Sequence, residues 1–566
     1  MNGNDFGQLE MLGSSGVGNK ANADHLKNAE CTLFMEGQYG AVYRRIKRLV
    51  DPGTFLPLGS LFDPEHNSEE TTGVITGLAK VRGTCVCVIA SNPEIRKGAW
   101  LPGQPQKILR MQRLAELLRA PIFFLLECSG LDLEQQHKVY TGHLSGGRTF
   151  FNNARLATKG VPIIEGIFGT NVAGGGYGGI SATKRFAHKD ASMAIGGAAI
   201  MSGMRSSKNG FTEKDIDMLL EEVSKCSVIP SPGSIAVHTE TGFFDGVFEN
   251  ERQVIDAMRA CIPEGDASVP RCQWWDVPDL PRHDADDLYH LLPYDPSRMY
   301  DINEVLARII DGSRAHEYMP EYGPEVYCGH AHIDGCAVGI VANRQGFLPN
   351  GYPEYADYPG IGGKLYRQGL VKMCRFVSWC DTHKVPMIWF QDTSGIDVGD
   401  QAERAGLLGL GQALIYSIEN AKIPMMTFVL RKGHAASHYV MCGPQASPNA
   451  LTLGTALTEI MVMHRESAAM ARYGRALEKA CPADRPSVIR QMNELVEKYR
   501  ETSSPRYAAV HGLVDEVISL ARMRDYLSWF AHAAYTSLEV SQAPVQGLWT
   551  LWPDIVEKSY LASKLK

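Results

Sequence analysis

The 566-residue chain carries thirteen cysteines yet no C-x-x-C pair, so neither a disulfide framework nor a zinc ribbon is expected. Cys85 and Cys87 alternate along one predicted strand, and reduced thiols in a cytoplasmic protein account for the scatter. No apolar run approaches the ~20 residues that span a bilayer, and no signal peptide is read. An excess of basic charge is missing too. The formal net charge is −7, which argues against nucleic acid or an anionic membrane surface as partner. The densest basic run, Arg44-Arg45-Ile46-Lys47-Arg48, reads as the solvated face of a helix. No Walker lysine follows a Gly-rich stretch, and no G-x-S-x-G frames a serine, which removes an NTP cradle and a nucleophile elbow. With 44% hydrophobic and 21% charged residues, the composition is that of an ordinary globular protein.

What is present is a duplication. Residues 119–130, Arg-Ala-Pro-Ile-Phe-Phe-Leu-Leu-Glu-Cys-Ser-Gly, match 384–395, Lys-Val-Pro-Met-Ile-Trp-Phe-Gln-Asp-Thr-Ser-Gly, at an offset of 265. Gly160-Val161-Pro162 matches Lys422-Ile423-Pro424, and Tyr177 matches Tyr439, at an offset of 262. The length allows two to four domains, and the repeat selects two of roughly 250 residues each. The expected division is a flexible Gly/Asn/Ser-rich lead-in over 1–30, an N-terminal domain over 31–298 and a C-terminal domain over 299–566. A Pro- and Asp-rich linker falls at 274–300.

Each copy predicts the same α/β order. In the first, a helix over 36–50 stops at Asp51-Pro52-Gly53. Strands 73–81 and 84–90 follow, turning at Arg82-Gly83. A helix over 104–119 leads to strand 122–127, and a helix near 148–159 leads to strand 163–168, with a short strand at 192–195. In the second, strands 326–333 and 336–342 turn at Asp334-Gly335. A helix over 364–383 leads to strand 387–391, and one over 402–421 leads to strand 425–430. The alternation implies a mostly parallel sheet built by βαβ succession.

The copies differ at the loop after the last of these strands. The first has Ala173-Gly174-Gly175-Gly176, the second Ala435-Ala436-Ser437-His438. Glycines let a backbone come close to a ligand, and adjacent N–H groups aimed at one point stabilise a developing oxyanion. Gly174, Gly176 and Gly179 also fit G-x-G-x-x-G, but no acidic residue follows at the spacing a dinucleotide site needs. Ser437 with His434 or His438 is an alternative nucleophile and base. Glu127 and Asp392, at equivalent strand ends, are acid/base candidates, although carboxylates there more often cap the next loop through its N–H groups. His330 and His332 have metal-like spacing without a third ligand, so a packed strand is the simpler reading. Lys138, Arg148 and Arg155 are basic residues ahead of the first loop that either meet a phosphorylated substrate tail or sit as surface charge.

Ala173-Gly174-Gly175-Gly176-Tyr177 resembles the oxyanion loop of the biotin-dependent carboxyltransferases. Arg45-Ile46 with Asp51-Pro52-Gly53-Thr54-Phe55 is similar to that family's opening motif. Asp392-Thr393-Ser394-Gly395 and Arg431-Lys432-Gly433, continuing to Tyr439-Val440-Met441-Cys442-Gly443, are similar to its second-domain segments. The likeness runs from about residue 30 to 540. Within the family, 362–373, 391–399, 407–417 and 430–433 resemble the branch that decarboxylates glutaconyl-CoA.

The resemblance implies two tandem crotonase-like domains. It implies acyl-CoA oxyanion N–H groups at Gly174 and Gly175, with Ala173, Gly176, Tyr177, Arg148 and Arg155 binding substrate. On the biotin side it implies N–H groups at Ala436 and Ser437, with Gly433, Ala435 and Tyr439 around them. It further implies no metal, a homodimer with active sites between subunits, and biotin on a separate carrier subunit. An integral-membrane sodium-pump subunit would hold the complex at the cytoplasmic face, or a biotin carboxylase would replace it in an acyl-CoA carboxylase. No Ala-Met-Lys-Met acceptor occurs, and Val371-Lys372-Met373 is a poor imitation of one inside a predicted helix. Outside this mechanism stand a crotonase-type hydratase or isomerase using Glu127, and a scaffold without catalysis.

Overall fold

The computed structural model describes residues 10–13, 19–33, 40–64, 73–172 apart from 133 and 141, 182–194, 235–263 apart from 241 and 242, 276–348, and 352–540 apart from 354 and 356–358, with 213, 216, 217 and 220 as isolated residues. The chain forms two compact units, one of residues 37–268 and 540–566, the other of 1–36 and 269–539.

In the first unit, helix α1 (Gly40–Leu49) precedes strands β1 (Val74–Val81) and β2 (Thr84–Ser91). Helix α2 (Gln104–Leu118), strand β3 (Ile122–Cys128), helix α3 (Gly146–Thr158), strand β4 (Ile163–Val172), strand β5 (Lys184–His188) and helix α4 (Glu251–Ala260) follow. One eight-stranded sheet runs from Leu56–Leu58 through β1, β2, β3, β4 and β5 to Gly246–Phe248, and Ser192–Ala194 pairs with the far end of β4. Only the Leu56–Leu58, β1 and β2 pairings are antiparallel.

The second unit repeats the plan. Strands β6 (Val326–Ile333) and β7 (Cys336–Asn343) form its hairpin, and helix α5 (Arg367–His383) leads to β8 (Met387–Thr393). Helix α6 (Leu407–Glu419) leads to β9 (Met425–His434), a short helix α7 (Ala435–Val440) and β10 (Asn449–Gly454). Helices α8 (Arg465–Lys479), α9 (Arg485–Thr502) and α10 (Met523–Val540) complete it. β7, β8, β9 and β10 are parallel neighbours, so β8 and β9 are buried on both faces and each begins with a largely apolar run, 387–390 and 425–430.

Two devices recur in both copies. The hairpins turn through residues with positive φ, Arg82 (51°) and Gly83 (80°) in one, Asp334 (50°) and Gly335 (79°) in the other. Asp51 accepts from the N–H groups of Arg82 (3.0 Å) and Gly83 (2.8 Å), and Asp311 from those of Asp334 (2.9 Å) and Gly335 (2.7 Å). Each carboxylate also holds an arginine, Arg259 at 2.9 Å and Arg524 at 2.6 Å. The second device is a buried lysine. Lys107 donates to Val74 O (2.5 Å) and Lys372 to Val326 O (2.8 Å), tying helix to first strand. Lys372 is fully buried in this role, so the loose likeness of 371–373 to a biotin acceptor ends there.

Two expectations are corrected. The lead-in is not wholly flexible: Lys20–Leu33 is a helix that packs with the second unit. Its buried Glu30 accepts from Tyr289 Oη (2.6 Å) and from the N–H of Leu520 (2.9 Å). Within the expected linker, the short helix Leu288–Leu291 buries Leu288 and Tyr289, and Asn22 Nδ2 donates to Tyr289 O and Leu292 O at 2.8 Å each. The division between the units accordingly falls at 268/269, ahead of the expected 298/299.

Burial opposes ionisation of Asp51, but the Gly83 and Arg82 N–H groups and the Arg259 guanidinium outweigh it and hold the carboxyl below its ordinary range. A lowered folded pKa stabilises above the unfolded value of about 3.9 and is lost as pH falls through the folded one. Asp51→Asn is therefore expected to lower stability by about 1–2 kcal/mol at pH 7, with the difference from wild type shrinking below pH about 4. Urea unfolding of both proteins across that range checks this.

Candidate active site

The second copy's loop is built on the ends of β8 and β9. Their pairing shifts register between Gln391 and Thr393, so that Thr393 faces Gly433. Beyond the shift, His434 ends β9 in extended geometry and Ala435 turns to φ 54°, starting α7. The expected loop at Ala435–Tyr439 is thus a short helix. In its first turn the N–H groups of Ala436 and Ser437 have no acceptor within the helix. Ala436 and Tyr439 are exposed and Ala435 is half-buried, so this end opens outward.

The side chains behind the turn are committed elsewhere. Ser437 is fully buried, and its hydroxyl donates to His434 O at 2.5 Å, which ends the nucleophile reading. Gln391 Nε2 donates to Met441 O (2.6 Å) and His438 O (3.2 Å). That fixes the amide, so Oε1 accepts from His438 Nδ1 at 2.7 Å. Burial pushes the imidazolium pKa of His438 down to about 4 and, with help from Lys432, that of His434 to about 4. Both rings are neutral at pH 7. The far end of α7 is anchored through Cys442 O, which accepts from Thr427 Oγ1 (2.6 Å) and Asn449 Nδ2 (2.7 Å).

Asp392 and Glu127 occupy equivalent strand ends but act differently. Asp392 is buried and accepts from Arg431 Nε (2.8 Å) and from the N–H of Lys432 (3.3 Å). Arg431 Nη1 also donates to Arg298 O (2.9 Å), and its guanidinium lies over the Tyr300 ring at 4.8 Å. Asp392 therefore caps the backbone entering the site. Glu127 instead accepts from Arg45 Nη1 at 2.6 Å, and Arg45 is shared with Glu251 at 2.5 Å. Glu127 is thus engaged by the side chain of Arg45 in a salt bridge that Glu251 shares. Gly169 faces it so closely that a Cβ there would lie 2.4 Å from Glu127 Oε1.

With this geometry in view, the carboxyl transferase domain model matches residues 36–547. The chain belongs to the carboxyl transferase domain family. It is 44% identical over 529 residues to the alpha subunit of glutaconyl-CoA decarboxylase from Acidaminococcus fermentans, covering 92% of this chain and 88% of that one. It is 27% identical over 504 residues to the beta1 subunit of a biotin-dependent 3-methylcrotonyl-coenzyme A carboxylase from Mycobacterium tuberculosis, covering 86% and 88%. The beta subunit of geranyl-CoA carboxylase from P. aeruginosa shares the fold, with a TM-score of 0.72 at 24% identity over 93% of this chain and 91% of that one. The two tandem crotonase-like α/β units are thus those of a carboxyltransferase.

In this carboxyltransferase the first loop, Ala173, Gly174, Gly175, Gly176 and Tyr177, lies outside the described residues. Its base is visible: β4 runs to Val172, and Asn171 accepts the N–H of Cys128 (3.2 Å) while donating to Gly169 O (3.1 Å). Arg148 is exposed at the start of α3. Arg155 pairs with Glu116 at 3.0 Å, alongside Lys159, as surface charge. His330 packs between the rings of Phe376 (4.9 Å) and Trp379 (4.3 Å), and burial pushes its pKa down to about 3. Among the described residues no three metal-ligating side chains come together. Nor is any described helix long and apolar enough to cross a membrane.

Sequence reasoning missed the supports of the second loop, namely Gln391 with His438 and Arg431 with Tyr300. A signal existed for the first: Gln391 is a polar residue directly after the apolar run 387–390 of a buried strand, where the first copy has Leu126. The depressed His438 pKa has a consequence for stability. An unfolded His binds a proton near pH 6.5, whereas folded His438 resists it until about 4, so the fold weakens as pH drops through that window. His438→Gln is expected to flatten this acid limb, as thermal unfolding at pH 7, 6, 5 and 4 would show. An unchanged slope would contradict a neutral buried ring.

Proposed function

We propose that the chain is the carboxyltransferase subunit of a sodium-pumping decarboxylase, moving the distal carboxylate of glutaconyl-CoA to biotin on a partner subunit and releasing crotonyl-CoA. The observation that carries this reading is the duplicated unit with two different loops, in a chain 44% identical to the alpha subunit of a glutaconyl-CoA decarboxylase. One loop is glycine-rich, the other small but not glycine.

The first-copy N–H groups of Gly174 and Gly175 would receive the thioester oxygen. As the carbon–carboxylate bond breaks, its electron pair delocalises along the conjugated chain onto that oxygen, where two fixed N–H dipoles hold it without reorganisation. Protonation of the carbon chain then gives crotonyl-CoA. Ala173, Gly176 and Tyr177 would shape this pocket, and exposed Arg148, with Arg155 if it leaves Glu116, would meet the CoA phosphates. The second loop fits a neutral ureido group: two N–H donors, a methyl-sized exposed residue at 436, and neutral rings behind. Bound biotin supplies a ureido nitrogen as the carboxyl acceptor. The N–H groups of Ala436 and Ser437 would donate to its oxygen, with Gly433, Ala435 and Tyr439 around it.

Partners follow from the same reading. Val398, Leu408, Tyr416 and Tyr439 are 54–80% exposed on neighbouring elements near the second loop, an apolar face suited to cover by a second copy. A homodimer with sites between subunits, a biotin carrier and an integral-membrane sodium pump would complete the complex at the cytoplasmic membrane face. The relative from M. tuberculosis supports a second reading, the transferase half of an acyl-CoA carboxylase, in which a biotin carboxylase replaces the pump. The ion pair of Glu127 with Arg45 argues against a biotin-independent hydratase.

The test is a free-biotin assay of the purified chain with glutaconyl-CoA, methylmalonyl-CoA and malonyl-CoA. Biotin-dependent conversion of glutaconyl-CoA to crotonyl-CoA is expected, with Gly175→Val losing at least a hundredfold in rate. Preference for another acyl-CoA would favour the carboxylase reading, and turnover without biotin would refute both.

A further inference from the structure

The two copies solve the same problem by different means. The first copy has glycines in sequence at 174–176, a residue type open to backbone angles that a Cβ disfavours. The second has Ala435 at φ 54°, a left-handed conformation that a residue with a Cβ resists. Something must hold it there. The candidates lie directly behind: Gln391 bonds three ways to α7 and its exit, through Met441 O, His438 O and His438 Nδ1. Gly433 is part of the arrangement, since a Cβ on it would sit 2.9 Å from His438 Nδ1 and 3.3 Å from Gln391 Oε1. In the first copy the equivalent positions are Leu126 for Gln391, at the offset of 265, and Gly176 for His438, at the offset of 262. The pair therefore belongs to the second copy alone, where the glycines are missing.

We infer that Gln391 and His438 are positioning residues that lock the strained Ala435 turn, so that the N–H groups of Ala436 and Ser437 keep a fixed direction toward the carboxyl acceptor. This rests on the function proposed above. The clamp works through geometry alone. Gln391 donates to two carbonyls, which leaves only its oxygen facing His438, and His438 must then carry its proton on Nδ1. Neither side chain exchanges a proton with substrate. Their effect is to keep α7 from unwinding into the several conformations a free Ala-Ala-Ser segment would sample.

The test uses the full-length chain in the free-biotin assay. Gln391→Leu, which installs the first copy's residue, is expected to raise KM for biotin about tenfold, the cost of about one net buried hydrogen bond. KM for the acyl-CoA should stay within about twofold, because that substrate binds the other loop. Adding Ala435→Gly to Gln391→Leu should recover most of the loss, since glycine takes the left-handed turn without a clamp. A general packing defect at 391 would not be repaired by a change at 435. An unchanged biotin KM in Gln391→Leu, or no recovery in the double variant, would overturn the inference. A readout independent of turnover is the ¹⁵N spectrum of histidine-labelled wild type, with His438 assigned by its loss in His438→Gln. The Nδ1–H tautomer is expected, and the Nε2–H tautomer would overturn the clamp. If wild type shows no biotin-dependent turnover, the proposed function fails, while the tautomer still decides whether the clamp exists.

Discussion

Arg431 and Asp392 form the interaction on which the second loop depends. Both are almost wholly buried, and Arg431 Nε lies 2.8 Å from the Asp392 carboxylate. Removing two charges from water is costly, and further hydrogen bonds to the pair offset part of that cost. Here Asp392 takes the Lys432 N–H as well, and Arg431 reaches Arg298 O and the face of Tyr300, while its Nη2 is buried with no hydrogen-bond partner. The pair thereby joins β8, β9 and the 295–300 segment at the point where the chain leaves the sheet. Losing one partner would leave an uncompensated buried charge, a cost of about 3–5 kcal/mol.

From that anchor outward, shared and divergent features separate cleanly. The hairpin-capping aspartates, their arginines and the helix-to-strand lysines are the same in both copies, because they hold the common scaffold. The strand ends are where the copies part. Glu127 meets Arg45 from a helix ahead of the sheet, whereas Asp392 meets Arg431 from the adjacent strand. One loop is glycine-rich in sequence, and the other carries Ala435-Ala436-Ser437-His438, with His438 hydrogen-bonded to Gln391. The two copies thus share a scaffold and differ at the ends of equivalent strands and in the loops that follow them.

Much of the scaffold was legible because its signals are local. Arg82-Gly83 and Asp334-Gly335 announce two-residue hairpin turns, and the apolar runs at 122–126 and 387–390 announce buried parallel strands. The two loops could be found by their matched positions, and a family resemblance gave them roles. What could not be read depends on distant partners. Nothing around Glu30 shows that it will be buried against Tyr289 and Leu520, the latter 490 residues away. The short helix at Ala435–Val440 is too brief for periodicity and begins at a positive φ without glycine, so it reads as a loop. Gln391 stood out by polarity, but only the fold brings His438 to it.

The central claim is that the two loops serve separate ligands. Its most direct measurement is calorimetric titration of glutaconyl-CoA into wild type, Gly175→Val and Ala436→Val, each paired with biotin-dependent turnover. Gly175→Val should lose acyl-CoA binding and turnover together, while Ala436→Val should bind acyl-CoA as wild type does and lose only the transfer to biotin. Equal loss of acyl-CoA binding in both variants, or full transfer activity in Ala436→Val, would contradict the division of labour between the copies.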